Sequence, residues 1–563
     1  MSTPHSEPGR SFSEPDPTMQ DESAVSPPPA AAVPFKPGVK FWAIIIAIGF
    51  AGLLTALEAT ITSTALPSII AELGGGSEYV WVINGYFLAM TSLQPLVGQL
   101  ANVFGRRWPT IVSTAAFILG SGLCGGANNM GMMIAGRVIQ GIGAGGINVL
   151  IEVIVCDLVP LRQRGNYLAA IFGLVAIGTA LGPFFGGLIV QYSDWRWVFY
   201  LNLPVGGVAL VLLFLFLHVK SKKEPTLAMS LGKIDWVGNA LFVTAVSSTL
   251  VGLGWAGSLY PWSSFRVIVP LVLGLLGLAA FLVLEKFVAE PMVPLRLFSN
   301  RTLIAVYLLT FLHSVITMWS IYFLPVYFQG VLRASPGNSG LYLLPTILIL
   351  VPTAAGGGGI MSKTGKYRPI HFFGFALMTI GFGLFSLLDK DSSTGKWVGY
   401  QILAGAGAGL VIPTLLPAIM APLSEADTAL ATATWAFLRS FGLTWGTAIP
   451  AAIFNNRVAA LAGRIADPQV RAEVTGGRAY EHAVASFVNS LEPETKAQFV
   501  SVLSDGLKRI WEIAIAFAAF GFFMVALEKE YKLRDELETE YGMVDKERTG
   551  SDPEAVPPAP KSG

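Results

Sequence analysis

Six ionisable side chains stand inside or beside long apolar stretches of this sequence: Glu58, Arg137, Glu152, His313, Arg439 and Glu512. A charge held at bilayer depth is costly, so each should face a cavity, pair with an opposite charge or snorkel to an interface. Carboxyls and an imidazole so placed suit the gain and loss of a proton. Glu58 and Arg137 are the first candidates for proton coupling, with Gln140 one turn from Arg137 as its nearest polar neighbour. Glu152, His313 and Arg439 come next. His313 reads equally as a packing histidine. Arg439, in RSFG, either faces a cavity or pairs with an acid, and Glu152 and Glu512 could simply border a polar lining. No GxxxxGK[ST] loop cradles a phosphate, so direct ATP hydrolysis is not indicated. Neither clustered metal ligands nor a nucleophile elbow point to an enzyme. Cys124 and Cys156 both lie in apolar runs, which implies buried thiols and no disulfide framework.

The elements that carry these groups follow from composition. The chain has 563 residues, of which 53% are hydrophobic and 13% charged, against about 25% charged in soluble domains. A net charge of +1 gives no sign of nucleic-acid binding. About 20 apolar residues cross a bilayer as a helix. Fourteen such runs are found, near 41–70, 79–101, 109–127, 131–156, 166–190, 197–218, 235–255, 266–286, 303–328, 339–361, 369–388, 396–422, 428–453 and 507–527. The short loops on one side hold fourteen Lys and Arg and those on the other hold five, which places both termini in the cytoplasm. The fold class is therefore all-α and polytopic. Residues 1–38, rich in Pro, Ser and acids, read as a disordered cytoplasmic tail, and 529–563 as a second one. The segment 454–506 reads as an extracellular cap or a disordered loop.

The chain also repeats itself. Gly98, Gly105 and Pro109 match Gly358, Gly365 and Pro369, each 260 residues later. Gly141, Gly143 and Gly145 match Gly405, Gly407 and Gly409 at an offset of 264, as Gly178 and Gly182 match Gly442 and Gly446. The repeat divides the chain into a six-helix bundle over 39–220, two inserted helices over 235–286, and a second six-helix bundle over 302–527. Repeated bundles around a central site are a usual transporter architecture.

Five strings carry a family resemblance. GQLANVFGRR resembles the loop signature of the major facilitator superfamily, with Asn102 where the family usually has Asp. The resemblance implies a cytoplasmic gate at Gly98, Asn102, Gly105, Arg106 and Arg107; the two arginines read equally as topology signals. GRVIQGIGAGG resembles the Arg-x-x-Gln-Gly-x-Gly motif associated with proton coupling. GTALGPFFGG resembles the antiporter signature of drug exporters, and sets Gly178, Gly182 and Gly186 on one face for close helix packing, with Pro183 as a bend. ALEATITSTALP resembles the first helix of the fourteen-helix drug:proton antiporter branch, with Glu58 for the usual Asp. DWRWVFYLNLPVGG matches that branch at Trp195, Arg196, Trp197, Asn202, Pro204 and Gly206, and reads as an interfacial anchor.

The resemblance spans residues 40 to 527 and is strongest to toxin-efflux carriers of filamentous fungi. It implies a major facilitator fold with fourteen helices in a 6+2+6 order, and proton-driven export of lipophilic small molecules by alternating access. Expected partners are the substrate, protons and the bilayer, with no nucleic acid and no cofactor; a monomer in the cell membrane is expected, or else in the vacuolar membrane. Asn84, Tyr86, Gln140, Tyr327 and Trp435 are candidate cavity residues, although aromatics at helical spacing also serve as packing. A siderophore-type importer and a non-transporting solute sensor are the alternatives. The small-xxx-small helix 5 disfavours the first, and short tails the second.

Overall fold

A computed structural model describes residues 37–73, 80–218, 227–256, 260–475 and 478–534. The expected tails lie outside the described residues except at their inner ends. The described chain is helical, with no strand. The first half comprises α1 (Val39–Leu73), α2 (Val80–Ser92), α3 (Gln94–Phe104), α4 (Arg107–Gly125), α5 (Met130–Leu158), α6 (Leu161–Tyr192), α7 (Trp197–Tyr200) and α8 (Asn202–Phe216). A short α9 (Leu227–Gly232) leads to the inserted pair, α10 (Trp236–Trp255) and α11 (Phe265–Leu284). The second half follows as α12 (Arg301–Val326), α13 (Pro336–Tyr342), α14 (Leu344–Thr364), α15 (Arg368–Phe385), α16 (Thr394–Met420) and α17 (Thr428–Leu461), and closes after α18 (Pro468–Val474), α19 (Ala479–His482) and α20 (Ala485–Ser490) with α21 (Pro493–Met524).

Eleven of the described helical segments are long and apolar enough to cross a membrane. The other three expected runs, at 79–101, 166–190 and 428–453, coincide with α2–α3, α6 and α17. The junction of α2 and α3 falls at Leu93, with a proline in the first turn of α3, where its missing N–H costs no helical bond. Polar caps set other starts: Asn129 accepts from the Met132 N–H for α5, and Asp235 from that of Gly238 for α10.

The segment expected over 454–506 is shorter than those bounds, and its described residues form short helices. Leu461 ends α17 and Pro493 already begins α21, so only the short α18, α19 and α20 separate them. The run at 507–527 underestimates α21 because its first turns are polar, and hydropathy sees only the membrane-facing part.

The glycine repeat acquires a physical meaning in the packing. A Cβ on Gly141 or Gly145 would strike the carbonyls of Tyr86 and Met90 in α2; on Gly405 or Gly409 it would strike those of Thr346 and Leu350 in α14. Gly143 and Gly407 sit likewise against α4 and α15. Gly178 and Gly182 close on the Leu53 and Leu57 carbonyls of α1, and Gly442 and Gly446 on those of Phe311 and Val315 in α12. Each of these ten glycines thus meets the matched helix of its own half, where any side chain would force two backbones apart. Gly105 and Gly365, with φ of 77° and 70°, are the two described glycines in the left-handed region, and both turn the chain between matched helices.

The halves also meet through related contacts. Gly98 of α3 lies against Ala429 and Ala433 of α17, while Gly358 of α14 lies against Gly165 of α6. These contacts sit towards the face that the Lys and Arg bias assigns to the cytoplasm, called the inner face below.

Candidate functional site

Within the first half, α1, α4, α5 and α8 bring a polar cluster into an otherwise apolar interior. Glu58 and Arg137 are 0% and 1% exposed and form a direct ion pair through Oε1 and Nη1. The same Nη1 donates to Gln140 Oε1 at 2.6 Å, and Arg137 Nε donates to the Val82 carbonyl at 2.8 Å. Glu58 Oε2 accepts from Asn202 Nδ2 at 2.6 Å, and Oε1 accepts from Thr62 Oγ1 at 3.1 Å. Gln140 Nε2 donates to Ser121 Oγ at 2.7 Å. The Arg137 guanidinium stands 4.4 Å from the Tyr86 ring centroid, a cation–π distance. Both charges are therefore paired and hydrogen-bonded, which is the condition for burying them. Removing one partner of such a pair costs about 3–5 kcal/mol.

Gly178 and Gly182 press α6 onto α1 within a turn of Glu58. Thr60 Oγ1 donates to the Thr179 carbonyl across this contact at 3.1 Å. Gly186 is buried on the same helix, while the Pro183 side chain lies outside the described residues.

A second buried pair joins the halves. Arg439 Nη2 of α17 lies 2.6 Å from Glu152 Oε1 of α5. The Arg439 guanidinium stacks against Trp435 at 4.7 Å and Phe172 at 5.1 Å. Glu152 Oε2 has no hydrogen-bond donor among the described residues. Gln94 Nε2 of α3 reaches Ser440 Oγ of α17 at 3.1 Å nearby.

The inner face is closed by a third set. Arg106 is buried and bonded to Asp157 Oδ2 at 2.6 Å and to the Ala101 carbonyl at 2.7 Å, tying α4 to the end of α5. Asn102 of α3 is half-buried. Across the halves, Arg162 Nε donates to the Ser362 carbonyl at 2.7 Å, and the buried Arg164 lies 3.1 Å from Glu425 Oε2. Arg296, after the inserted pair, holds Asp427 at 2.8 Å.

The sequence candidates thus fall into separate places. Glu58, Arg137, Gln140 and Tyr86 come together; Glu152, Arg439 and Trp435 come together. His313 joins neither: it is buried, with Nε2 at 3.0 Å from the Ala408 carbonyl. Glu512 pairs with Arg509 on the surface. Asn84 faces Gly254 of the inserted α10. Tyr327 is buried elsewhere, its hydroxyl donating to the Asp389 carbonyl at 2.8 Å. Arg107 leaves the gate and donates to the Phe214 carbonyl at the end of α8. Asn202, read as part of an interfacial anchor, instead grips Glu58, whereas its neighbours Trp195 and Arg196 do hold Glu72 at the end of α1, each at 2.7 Å.

Sequence reasoning missed Asp157, Ser121, Glu425 and the bridging role of Arg164. Asp157 was legible as an acid ending an apolar run. Arg164 stands in the polar first turn of α6 and Glu425 in the turn before α17, where a charge carries no burial signal.

The Major Facilitator Superfamily profile matches residues 48–447. The MFS-type transporter pydD of an Acremonium species is 58% identical over 513 residues, covering 91% of this chain and 90% of that protein. The efflux pump FUS6 of Gibberella fujikuroi is 47% identical over 514 residues, covering 91% and 93%. In fold, the chain resembles the human organic anion transporter MFSD10, with a TM-score of 0.56 at 15% identity over 87% of this chain and 100% of that one.

Proposed function

The chain belongs to the major facilitator superfamily and is a multi-pass membrane transporter, and from that premise we propose that it exports lipophilic small molecules in exchange for protons. Relatives named as efflux pumps support the direction. The observation that carries the coupling is the buried cluster around Glu58, whose partners Thr62, Arg137 and Asn202 lie on α1, α5 and α8 and which Gln140 extends to Ser121 of α4.

Protonating Glu58 cancels its attraction for Arg137. Arg137 keeps the Gln140 and Val82 oxygens, and Asn202 Nδ2 loses its charged acceptor. The helices that the ion pair drew together, α1 and α5, are then free to shift. Because α1 is fused to α6 through Gly178 and Gly182, the shift reaches the boundary with the second half, where α6 meets α14. The Arg439–Glu152 pair spans the halves and breaks or reforms as they rock. Physically, one proton moving through 100 mV releases about 2.3 kcal/mol, and each unit of pH gradient adds about 1.4 kcal/mol.

The test is transport of a panel of lipophilic compounds into or out of vesicles holding the purified chain, with the pH gradient imposed in either direction. Substrate movement that follows the gradient, and is lost in Glu58→Gln, supports exchange. Movement indifferent to pH would remove the proton from the mechanism.

A further inference from the structure

Residues 528–534 do not leave the inner face. They run back across the second half as a strap. Glu528 is buried and meets His371 Nδ1 at 2.8 Å, while His371 Nε2 meets Thr414 Oγ1 at 3.1 Å. The Lys529 N–H donates to Thr302 Oγ1 at 2.9 Å. The Tyr367 hydroxyl donates to the Lys529 carbonyl at 2.6 Å, and the Tyr367 N–H to Glu530 Oε1 at 2.9 Å. The strap is therefore anchored to α12, α15 and α16, and moves with the second half. It lies beyond the segment that the family profile matches.

Its end arrives at the boundary. Arg534 Nη2 lies 3.1 Å from Glu425 Oε1, while Arg164 Nη2 lies 3.1 Å from Oε2 of the same carboxylate. The Glu425 side chain is 14% exposed, so it is a largely buried charge shared by two guanidiniums. The two differ in what carries them. Arg164 belongs to α6 of the first half. Arg534, like Glu425, belongs to the second.

We infer that Arg534 is a positioning residue of the inner gate, a resident counter-ion that keeps Glu425 paired when the halves part and Arg164 withdraws. Without it, opening would strand a carboxylate in a poorly hydrated place, the costly outcome when a buried pair loses one member. The backbone contact that opposes this, the Arg162 N–H to the Arg534 carbonyl at 3.2 Å, is one neutral hydrogen bond and is weak beside it. The inference rests on alternating access, but on neither the cargo nor the proton.

The two arginines at one carboxylate should therefore act in opposite senses. Met361 is a suitable reporter, being buried in α14 with its methyl end against Gly165 of α6. In the full chain with Cys124→Ala, Cys156→Ala and Met361→Cys, reconstituted in nanodiscs, the rate of maleimide labelling reports how often the inner face opens. Arg164→Gln is expected to raise that rate severalfold. Arg534→Gln is expected to lower it severalfold, Arg534→Lys to restore it, and Glu425→Gln to abolish the effect of Arg534→Gln. A rise in Arg534→Gln would make the strap a second clamp and overturn the inference, as would an unchanged rate, whether or not Tm falls. No labelling in any variant, Arg164→Gln included, would overturn alternating access itself and this inference with it.

Discussion

The two halves carry the same helix contacts at matched glycines, yet one is charged where the other is neutral. The packing of Gly178 on Leu53 and Gly442 on Phe311, with that of Gly143 on Phe117 and Gly407 on Met378, sets the correspondence. By it, Ile316 stands where Glu58 stands, Gln401 where Arg137 stands, Ala404 for Gln140 and Phe382 for Ser121. All four are buried. Gln401 does the bridging work of Arg137: its Nε2 donates to the Tyr342 carbonyl at 2.9 Å, as Arg137 Nε does to the matched Val82 carbonyl at 2.8 Å. Thr346, the counterpart of Tyr86, donates to Gln401 Oε1 at 2.8 Å. A neutral amide thus suffices to join these helices. The scaffold does not require a buried ion pair here, and the coupling proposed at Glu58 has no ionisable counterpart at Ile316. The Glu152–Arg439 pair is asymmetric in the same way, since Leu416 and Val175 occupy the matched positions.

Five substitutions break or sharpen this contrast. The largest effect is expected for Glu58→Gln, which should abolish transport driven by a pH gradient while the protein still reaches the membrane; vesicle flux measures it, and undiminished flux would make the two halves equivalent. Next, Gly182→Val and Gly446→Val should both collapse the yield of folded protein and by similar amounts, because each glycine touches the backbone of its first helix. Size-exclusion yield checks this, and a wild-type yield for either would break the packing symmetry. Third, Arg137→Gln copies the second half into the first but leaves Glu58 unpaired, at a cost of about 3–5 kcal/mol. Adding Glu58→Gln should recover most of that stability and none of the coupled transport, read by thermal unfolding beside flux. The smallest effect is expected for Gln401→Ala, which leaves the Tyr342 carbonyl without its amide partner and should cost about 1–3 kcal/mol, lowering Tm with proton dependence intact. A lost pH response there would place coupling in both halves.

Much of this contrast was legible in residue order, though unevenly. Glu58, Arg137 and Gln140 stood out because a polar side chain inside an apolar run is anomalous wherever the helix faces. The matched glycines stood out because close backbone approach tolerates no other residue. Gln401 did not, since an amide in a polar helix start violates nothing. His313 stood out for the same reason as Glu58 and yet, among the described residues, its ring meets a carbonyl and no acid, because an apolar neighbourhood gives the burial of a group without its partner. Tyr327 and Asn84 were chosen for chemistry suited to a cavity, but helix rotation turned them towards a loop and towards α10.

Residue order by itself determined that the chain is helical and membrane-spanning, that it is built twice, and which few groups could hold a charge at depth. Those properties come from run length, hydropathy and spacing along one helix, and all are local. Which acid meets which arginine was decided only by tertiary structure. Glu58 and Arg137 lie on α1 and α5, and Glu152 and Arg439 on α5 and α17, so their meeting depends on how each helix is rotated and crossed against the others. The strap that brings Arg534 back to Glu425 is an extreme case. Its residues are charged, and a charged chain end carries no pattern that tells a solvated tail from one folded onto a gate.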